Sequence, residues 1–190
     1  MSQMMSVGKR AMRAGGEQMR DSILHCAAAI IRRDGLHACT HRAVATDCDI
    51  SPGTVTYHFK NLDELHAAVI ERAVVNFTRQ TREWFIEEEE TDIARQLTRF
   101  LFWTLDARAR LICEYELFVA AVSRPRLRQA AAAWIASHQQ ILQQQLALTS
   151  QQAEAAVAFT DAWLLRSIIQ EGSQPDATLV QRFFASILQN

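Results

Sequence analysis

The chain has 190 residues, of which 49% are hydrophobic and 22% are charged, and its formal net charge is -1. This composition excludes a disordered or collagen-like chain, and the length fits one domain or a small domain joined to a larger one. The charge is uneven, because residues 1–60 carry a net charge of +3 and the remainder carries -4. A basic amino-terminal part indicates a surface that meets a polyanion.

The cysteines and the uncharged stretches bear on the compartment. The chain has four cysteines, which show no CxxC spacing: Cys26, Cys39, Cys48 and Cys113. The first residues lack the apolar run of a signal peptide, so we expect a cytoplasmic protein with reduced thiols. The longest stretch without Asp, Glu, Lys or Arg, residues 129–153, contains eight glutamines and His138, and no membrane association is predicted.

The placement of glycine and proline predicts long helices. Neither residue occurs between residues 54 and 124, and each would cost a helix interior about 1 kcal/mol (Gly) or 3 kcal/mol (Pro) relative to Ala. Apolar residues such as Leu97, Phe100 and Leu101 recur at helical spacing. The prediction is an all-α fold with no sheet and nine helices, at residues 18–34, 41–47, 52–58, 62–87, 92–106, 109–123, 126–148, 151–171 and 177–188.

The three amino-terminal helices carry the signals of a helix-turn-helix. Gly35 is placed to end the first helix in left-handed geometry, Thr40 to cap the second, and Ser51 with Pro52 to begin the third. The turn of residues 47–50 then separates two short helices.

The third helix has the composition of a DNA recognition helix. Its small residues Gly53, Thr54 and Thr56 allow the backbone to approach base edges, and threonine methyls can contact thymine. The residues that follow can donate hydrogen bonds to phosphates: Tyr57, His58 and Lys60. A helix-turn-helix is also a generic way to pack three helices, so this local pattern leaves DNA binding and a purely structural role both open.

This part of the chain resembles the DNA-binding domain of the tetracycline-repressor (TetR) family of bacterial transcription regulators. The resemblance extends over the segment ILHCAAAIIRRDGLHACTHRAVATDCDISPGTVTYHFKNLDELHAAV. The matching features are the Ala-rich first helix and the following residues: Gly35, Thr40, Ala45, Ser51, Gly53, Thr54, Tyr57, His58, Phe59, Asn61, Glu64 and Leu65. Two positions depart from the family pattern, since Asp49 stands where Gly is usual in the turn and Leu62 where Lys is usual.

The resemblance implies a repressor with nine-helix TetR-like architecture that binds a palindromic operator as a homodimer. It implies a DNA-binding domain over residues 1–62, with a flexible tail over 1–17, and a helical ligand-binding and dimerisation domain over 63–190. The base-facing positions that it implies are Arg42, Pro52, Gly53, Thr54 and Thr56. The phosphate-facing positions that it implies are Thr40, His41, Tyr57, His58 and Lys60. A small-molecule effector of unknown identity would bind the body and release the DNA.

Aromatic residues in the body belong either to its core or to the wall of an effector pocket. The candidates for the wall are Phe100, Trp103, Cys113, Phe118, Trp134, His138, Phe159 and Trp163. The candidate polar anchors are Glu114, Glu116 and His138. The last two helices are apolar around most of their circumference, which predicts a dimer interface formed by Phe159, Leu165, Ile168, Ile169, Phe183, Phe184 and Ile187.

Two other classes of function are compatible with parts of the sequence. Seven potential soft ligands, which match no zinc signature, lie near the amino terminus: His25, Cys26, His37, Cys39, His41, Cys48 and His58. We expect them to serve as core residues or phosphate contacts, with no metal and no other cofactor. HExxH, GxSxG and Gly-rich phosphate-loop motifs are missing, so no enzyme is predicted. The alternatives that stay open are a constitutive DNA-binding regulator without an effector and a helical metal-binding protein.

Overall fold

A computed structural model describes the backbone of residues 2–170 and 174–189 and the side chains of residues 15–170 and 174–189. Over this part of the chain the fold is all-helical, which confirms the predicted fold class. The nine α-helices of this part are α1 (Ser2–Asp34), α2 (His41–Asp47), α3 (Pro52–His58), α4 (Leu62–Glu87), α5 (Ile93–Leu105), α6 (Arg108–Ser123), α7 (Pro125–Leu146), α8 (Ser150–Ile169) and α9 (Ala177–Leu188). A short 3-10 helix, Leu36–Ala38, lies between α1 and α2.

Most helix bounds agree with the prediction. Helices α2, α3, α4 and α9 begin and end at the predicted residues, and α5 to α8 differ by no more than two residues at either end. Helix α1 instead begins at Ser2, well before the predicted residue 18. The predicted flexible tail over residues 1–17 lies largely outside the described side chains, which begin at residue 15.

The described chain forms two compact units, residues 1–69 and residues 70–190, and the division between them falls within α4. In the first unit, hereafter the head, apolar side chains from α1, α2 and α3 form a buried core. Its fully buried members include Ile23, Ala27, Val44, Val55 and Phe59. This core fixes α3 through Val55, while the opposite side of that short helix stays exposed.

Local signals at the head's turns act as predicted. Gly35 has φ of 85°, in the left-handed region that glycine adopts without strain. Asp49, at the turn position where the family usually has glycine, has φ of 53°. Thr40 and Ser51 cap α2 and α3 by accepting hydrogen bonds from the backbone N–H groups of Ala43 and Thr54, both at 3.1 Å.

The cysteines depart from the expectation of reduced thiols. Cys26 of α1 and Cys48, which follows α2, form a disulfide with a Cα–Cα distance of 6.0 Å. The two residues are 22 positions apart and share no motif, so only the packing of α1 against the turn brings them together. Cys39 is buried in the head, as expected for a small core residue.

The second unit, hereafter the body, contains α5 to α9 and most of α4. Helix α9 is anchored by Val180 and Phe184, which are fully buried. The ring of Phe184 meets that of Phe159 edge to face at 5.0 Å. Phe184 therefore packs the core of its own chain, which corrects its assignment to the surface of a dimer interface. None of the described helices is long and apolar enough to cross a bilayer.

Candidate DNA-binding surface and ligand cavity

Helix α3 presents small residues on its exposed side. Pro52, Gly53 and Thr56 are exposed and Thr54 is half-buried. A Cβ atom added at Gly53 would meet only the Ser51 hydroxyl oxygen, at an ordinary 3.6 Å. The head's own packing therefore does not require glycine at this position, whereas close approach of the backbone to another molecule would.

The side chain of Thr56 is oriented by a hydrogen bond within α3. Its hydroxyl donates to the backbone carbonyl of Pro52 at 3.0 Å, which leaves the methyl group as its distinctive outward feature. A threonine methyl is the group that contacts the C5-methyl of thymine in a major groove. Arg42, on α2, is also exposed.

Most of the predicted phosphate contacts surround α3. Tyr57 is 83% exposed, and its ring meets that of His58 edge to face at 5.2 Å. Lys60 and Thr40 are exposed. His41 differs, because its Nε2 is buried and has no hydrogen-bond partner among the described atoms. Its Nε2 is therefore not accessible to a phosphate.

Arg20 of α1 holds the end of α3 in place. Its guanidinium lies 4.2 Å from the centroid of the Phe59 ring and donates to the carbonyl oxygen of His58 at 3.3 Å. The start of α4 is fixed as well, because Glu64 accepts from the Lys60 N–H and Asn61 accepts from the Glu64 N–H, both at 2.9 Å. The backbone on both sides of Lys60 is therefore ordered by contacts within the head.

The body contains an aromatic cavity of about 50 Å³. It is lined by Phe77, Thr81, Phe100, Thr104, Leu111, Glu114, Tyr115, Phe118, Trp134, His138, Ile141, Leu142, Val157, Thr160, Asp161 and Leu164. A drug-sized ligand needs roughly 300 Å³ or more, so the cavity is nearly filled by its own side chains. The rings of Phe77, Trp134 and His138 contact one another across it, with centroid distances of 4.4, 4.9 and 5.7 Å.

The predicted pocket residues divide between this cavity and its surroundings. Four of them line it: Phe100, Phe118, Trp134 and His138. The other four lie outside its lining: Trp103, Cys113, Phe159 and Trp163. Of the predicted polar anchors, Glu114 and His138 line it and Glu116 does not.

Two carboxyl groups face the cavity from different helices. Burial raises the pKa of Glu114, on α6, to about 7, although Arg110 opposes the shift from a distance of 3.8 Å. Burial also raises the pKa of Asp161, on α8, to about 6, against the opposing hydrogen bond that the Tyr115 hydroxyl donates at 3.2 Å. Both carboxyl groups therefore titrate near neutral pH. Buried titratable groups of this kind concentrate at functional sites.

Two basic side chains, His138 and Arg110, lie beside these carboxyls. Burial and the neighbouring Arg110 lower the pKa of His138 to about 3, so its imidazole is neutral. The guanidinium of Arg110 lies 4.9 Å from the centroid of the Phe77 ring. Its Nε and Nη1 are buried and have no hydrogen-bond partner among the described atoms. With both carboxyls ionised, Glu114, Asp161 and Arg110 give the site a net charge of -1.

Arg110 also borders a second, open cleft of about 570 Å³. This cleft is lined by Gln80, Glu83, Trp84, Glu87, Trp103, Asp106, Ala107 and Arg110. The predicted wall residue Trp103 therefore faces the cleft instead of the cavity, and its ring lies 6.0 Å from that of Trp84. Arg110 thus connects the acidic, aromatic cleft with the cavity through its contacts to Phe77 and Glu114.

Sequence reasoning missed several cavity residues, of which Phe77 and Asp161 are the most informative. Asp161 is the one charged residue in the segment AFTDAWLL of α8, and a single acid in such a segment is a signal that could have found it. Phe77 is one of many apolar residues at helical spacing along α4, so nothing local distinguishes it.

The predicted dimer residues also differ in exposure. Leu165, Ile169 and Phe183 are 39%, 71% and 47% exposed. Phe159, Ile168 and Ile187 are half-buried. Helices α8 and α9 thus retain apolar side chains that their own chain leaves uncovered. No group of three His, Cys, Asp or Glu side chains able to hold a metal ion occurs among the residues described.

Comparisons with known proteins agree with this geometry. The family model for bacterial regulatory proteins of the tetR family matches residues 23–69, and that for a tetracyclin repressor-like C-terminal domain matches residues 88–190. The HTH-type transcriptional regulator UidR of Escherichia coli strain K12 is 34% identical over 70 residues, which cover 35% of this chain and 36% of UidR. The match thus spans only about a third of that relative's length.

Solved structures extend the similarity to the body. The multidrug binding protein EbrR complexed with ethidium is 28% identical, with a TM-score of 0.78 over 90% of this chain and 98% of that chain. A TetR-family member from Streptomyces coelicolor A3 is also 28% identical, with a TM-score of 0.76 and the same coverage of both chains. EbrR is also known in complex with imidazole, proflavin and malachite green. The predicted family and the predicted lack of enzymatic activity are confirmed: the chain belongs to the TetR family of bacterial transcription regulators, which bind DNA.

Proposed function

We propose that this chain is a cytoplasmic repressor that binds a palindromic operator as a dimer and releases it when an aromatic cation enters the body cavity. Residues 1–62 serve as the DNA-binding domain and residues 63–190 as the ligand-binding and dimerisation domain. The observation that carries the proposal is the pair of half-buried carboxyls, Glu114 and Asp161, that line an aromatic cavity. A body that served only as a scaffold would have no reason to place two carboxyls there.

In the head, α3 enters the major groove with Pro52, Gly53, Thr54 and Thr56 toward the bases, and Arg42 reaches the bases from α2. Support comes from the exposure of all of these residues except the half-buried Thr54, and from the burial of Val55 on the other side of α3. The phosphate contacts come from Thr40, His41, Tyr57, His58 and Lys60, with His41 acting through Nδ1. These contacts position the head, and the base contacts provide specificity.

In the body, charge selects the ligand. A cation that enters the cavity favours the ionised forms of Glu114 and Asp161, and the neutral His138 offers no repulsion. Aromatic surface on the ligand would stack on Phe77 or Trp134. Three of the four compounds found with the related EbrR, namely ethidium, proflavin and malachite green, are aromatic cations, and the fourth is imidazole.

Ligand entry requires the cavity to open, and this opening provides the coupling to DNA. Phe77 and Thr81 line the cavity from α4, the helix that begins at Leu62 in the head. Displacing these side chains moves a helix on which the head depends. The ligand must bind the DNA-incompetent state more tightly, because equal affinity for both states shifts nothing.

The dimer forms through α8 and α9. Leu165, Ile169 and Phe183 supply its exposed apolar surface, with Phe159, Ile168 and Ile187 at its edge. Two-fold symmetry lets the same two helices cover their own copies in a four-helix arrangement. The symmetry also matches two operator half-sites one helical turn apart.

The test begins with duplexes selected by the purified protein from a random library. Fluorescence anisotropy then measures the dissociation constant of the best duplex with and without tetraphenylphosphonium, a permanent aromatic cation that does not intercalate. We expect saturating tetraphenylphosphonium to weaken DNA binding at least tenfold. Triphenylphosphine oxide, which keeps three of the rings without a net charge, should have little effect.

The double variant Glu114→Gln/Asp161→Asn provides the matched control. It should bind the duplex as the parent does and should no longer respond to tetraphenylphosphonium. A response that persists in this variant, or one that the neutral compound reproduces, would reject the role of the carboxyls. Selective DNA binding that ignores a broad panel of aromatic cations would favour the alternative of a constitutive regulator.

A further inference from the structure

The disulfide between Cys26 and Cys48 lies at a sensitive place in the head. Cys48 follows α2 directly and belongs to the turn that leads into α3. The next residue, Asp49, has the left-handed backbone of that turn, and Ser51 caps the recognition helix. The bond therefore links α1 covalently to the turn that sets where α3 begins.

The compartment makes this bond unusual. A transcription regulator works where the chromosome is, in a reducing environment in which lasting disulfides are rare. Disulfides that do form there are usually transient and often sense the redox state. Both residues of this pair are half-buried, so reductants and oxidants can reach them. Cys39 is only 1% exposed and takes no part in the bond, and burial raises the pKa of its thiol to about 12.

The reduced state is also accommodated. The Cys48 sulfur lies 3.4 Å from the carbonyl oxygen of Ser22 on α1, an acceptor for the thiol that reduction would create. The buried core around Val44 and Val55 does not involve the cysteine pair and would keep the head folded. The turn keeps its own backbone hydrogen bonds, such as that from the Ile50 N–H to the Ala45 carbonyl at 2.9 Å. A second side-chain contact between α1 and the end of α2 is the exposed ion pair of Arg33 and Asp47 at 3.3 Å, and exposed pairs contribute little.

We propose that Cys26 and Cys48 form a site of reversible oxidation that sets the DNA affinity of the head. The disulfide form holds the turn and α3 in the geometry described. It binds DNA more tightly, because the turn loses less conformational entropy on binding when it is already ordered. The dithiol form has a looser turn and binds more weakly. This inference rests on DNA binding by the head and does not depend on the proposed release of DNA by a ligand.

The chemistry balances with a peroxide as the oxidant. One cysteine thiolate attacks the O–O bond of hydrogen peroxide and becomes a sulfenic acid as the other oxygen leaves as water after protonation. The second thiol attacks that sulfur, which forms the S–S bond and releases a second water. In the reverse direction a dithiol reductant attacks the disulfide through a mixed disulfide, becomes a disulfide itself and leaves two cysteine thiols.

The experiment measures DNA affinity and the state of the thiols in the same samples. The full chain is equilibrated with hydrogen peroxide or with dithiothreitol, which is then removed, and alkylation with mass spectrometry reports the fraction of Cys26–Cys48 disulfide. On a selected duplex we expect the reduced form to have a dissociation constant at least threefold higher. Hydrogen exchange adds a readout without DNA, in which amides of residues 48–58 exchange at least tenfold faster after reduction.

Variants separate this pair from the other cysteines. Cys26→Ser and Cys48→Ser should each bind like the reduced parent under both conditions. Cys39→Ala/Cys113→Ala, which keeps only the pair, should retain the full difference. Equal affinity and equal exchange in fully oxidised and fully reduced protein would overturn the proposal. Tighter binding by the reduced form, or failure of the pair to oxidise with peroxide, would overturn it as well.

Discussion

The head and the body keep their functional groups in opposite environments. In the head, the proposed contact residues such as Thr56 and Lys60 lie at the surface over an apolar core. In the body, Glu114, Asp161 and His138 face an interior cavity. The difference shows that a recognition surface needs only a rigid support, whereas a buried polar site changes the protonation of its own groups.

The largest expected effect tests whether one head can bind the operator without a second head linked to it through the body. Glutamate at Leu165 or Phe183 should dissociate the dimer, because each charge would be buried in an apolar interface. Loss of the linked second head should lower operator affinity by about 10²-fold or more. Sedimentation velocity and anisotropy measure the two effects in the same samples.

The matched control for this interface is Val119→Glu, which places the same charge at an exposed valine of α6. It should remain dimeric and bind DNA normally. If Val119→Glu dissociated the dimer while Leu165→Glu did not, the interface would lie on α6, and the proposed role of α8 and α9 in dimerisation would be wrong.

The second effect concerns the buried carboxyls. The pKa of Glu114 is raised from 4.5 to about 7, so the folded state holds the proton more tightly and loses stability as pH rises through this range. Glu114→Gln removes that dependence, and its unfolding free energy relative to the parent should rise by on the order of 3 kcal/mol between pH 5 and pH 8. Urea denaturation at both pH values measures it.

Other groups around Glu114 titrate too, so the difference between variant and parent is the quantity to follow. His138, whose pKa is lowered, makes the parent less stable as pH falls below its usual value of 6.5, and this contribution is common to both proteins. A difference that stays constant from pH 5 to pH 8 would show that Glu114 is ionised throughout.

The third effect concerns base readout in the head. Because the Thr56 hydroxyl donates to the Pro52 carbonyl, its methyl is the group left for thymine, and Thr56→Ser should lose discrimination as fully as Thr56→Ala. The expected loss is about 1–3 kcal/mol between matched and mismatched duplexes. Lys60→Ala should weaken all duplexes alike and lower the salt slope by about one. If Lys60→Ala changed the discrimination between duplexes and the Thr56 variants did not, Lys60 would be the base contact and Thr56 would not.

The smallest expected effect compares a threonine N-cap in the head with one in the body. Thr40 caps α2 in the head and Thr149 caps α8 in the body, and each accepts from the backbone N–H three residues later. Thr40→Ala and Thr149→Ala should each cost about 1 kcal/mol of stability. Only Thr40→Ala should also weaken DNA binding, because only its hydroxyl is proposed to meet a phosphate. Equal effects on DNA binding would remove Thr40 from the contact surface.

The sequence predicts the helix-turn-helix of the head better than the cavity of the body for a physical reason. Caps such as Thr40 and Ser51, and the stop at Gly35, act within a few residues, so their consequences can be read locally. The positive φ of Asp49 follows in the same way from its place in the turn. The bounds of α2 and α3 therefore agree with the prediction.

The cavity and the disulfide could not be predicted in this way. Asp161 and Phe77 meet at one cavity from helices far apart in the chain, and Cys26 and Cys48 are 22 residues apart without a shared motif. Such contacts depend on how the helices pack. The separation of Phe100, Phe118, Trp134 and His138 from the other four aromatic and thiol candidates depends on the same packing.

The small size of the cavity has a consequence for the time course of the response. Because the aromatic rings fill most of the space, the open form must appear before or during ligand entry, and the observed rate of binding should level off at high ligand concentration. Once the cavity is open, its side chains adapt to the shape of the bound compound. Cations of different shape can then pair with the same two carboxyls, so the site would select ligands by charge more strongly than by shape.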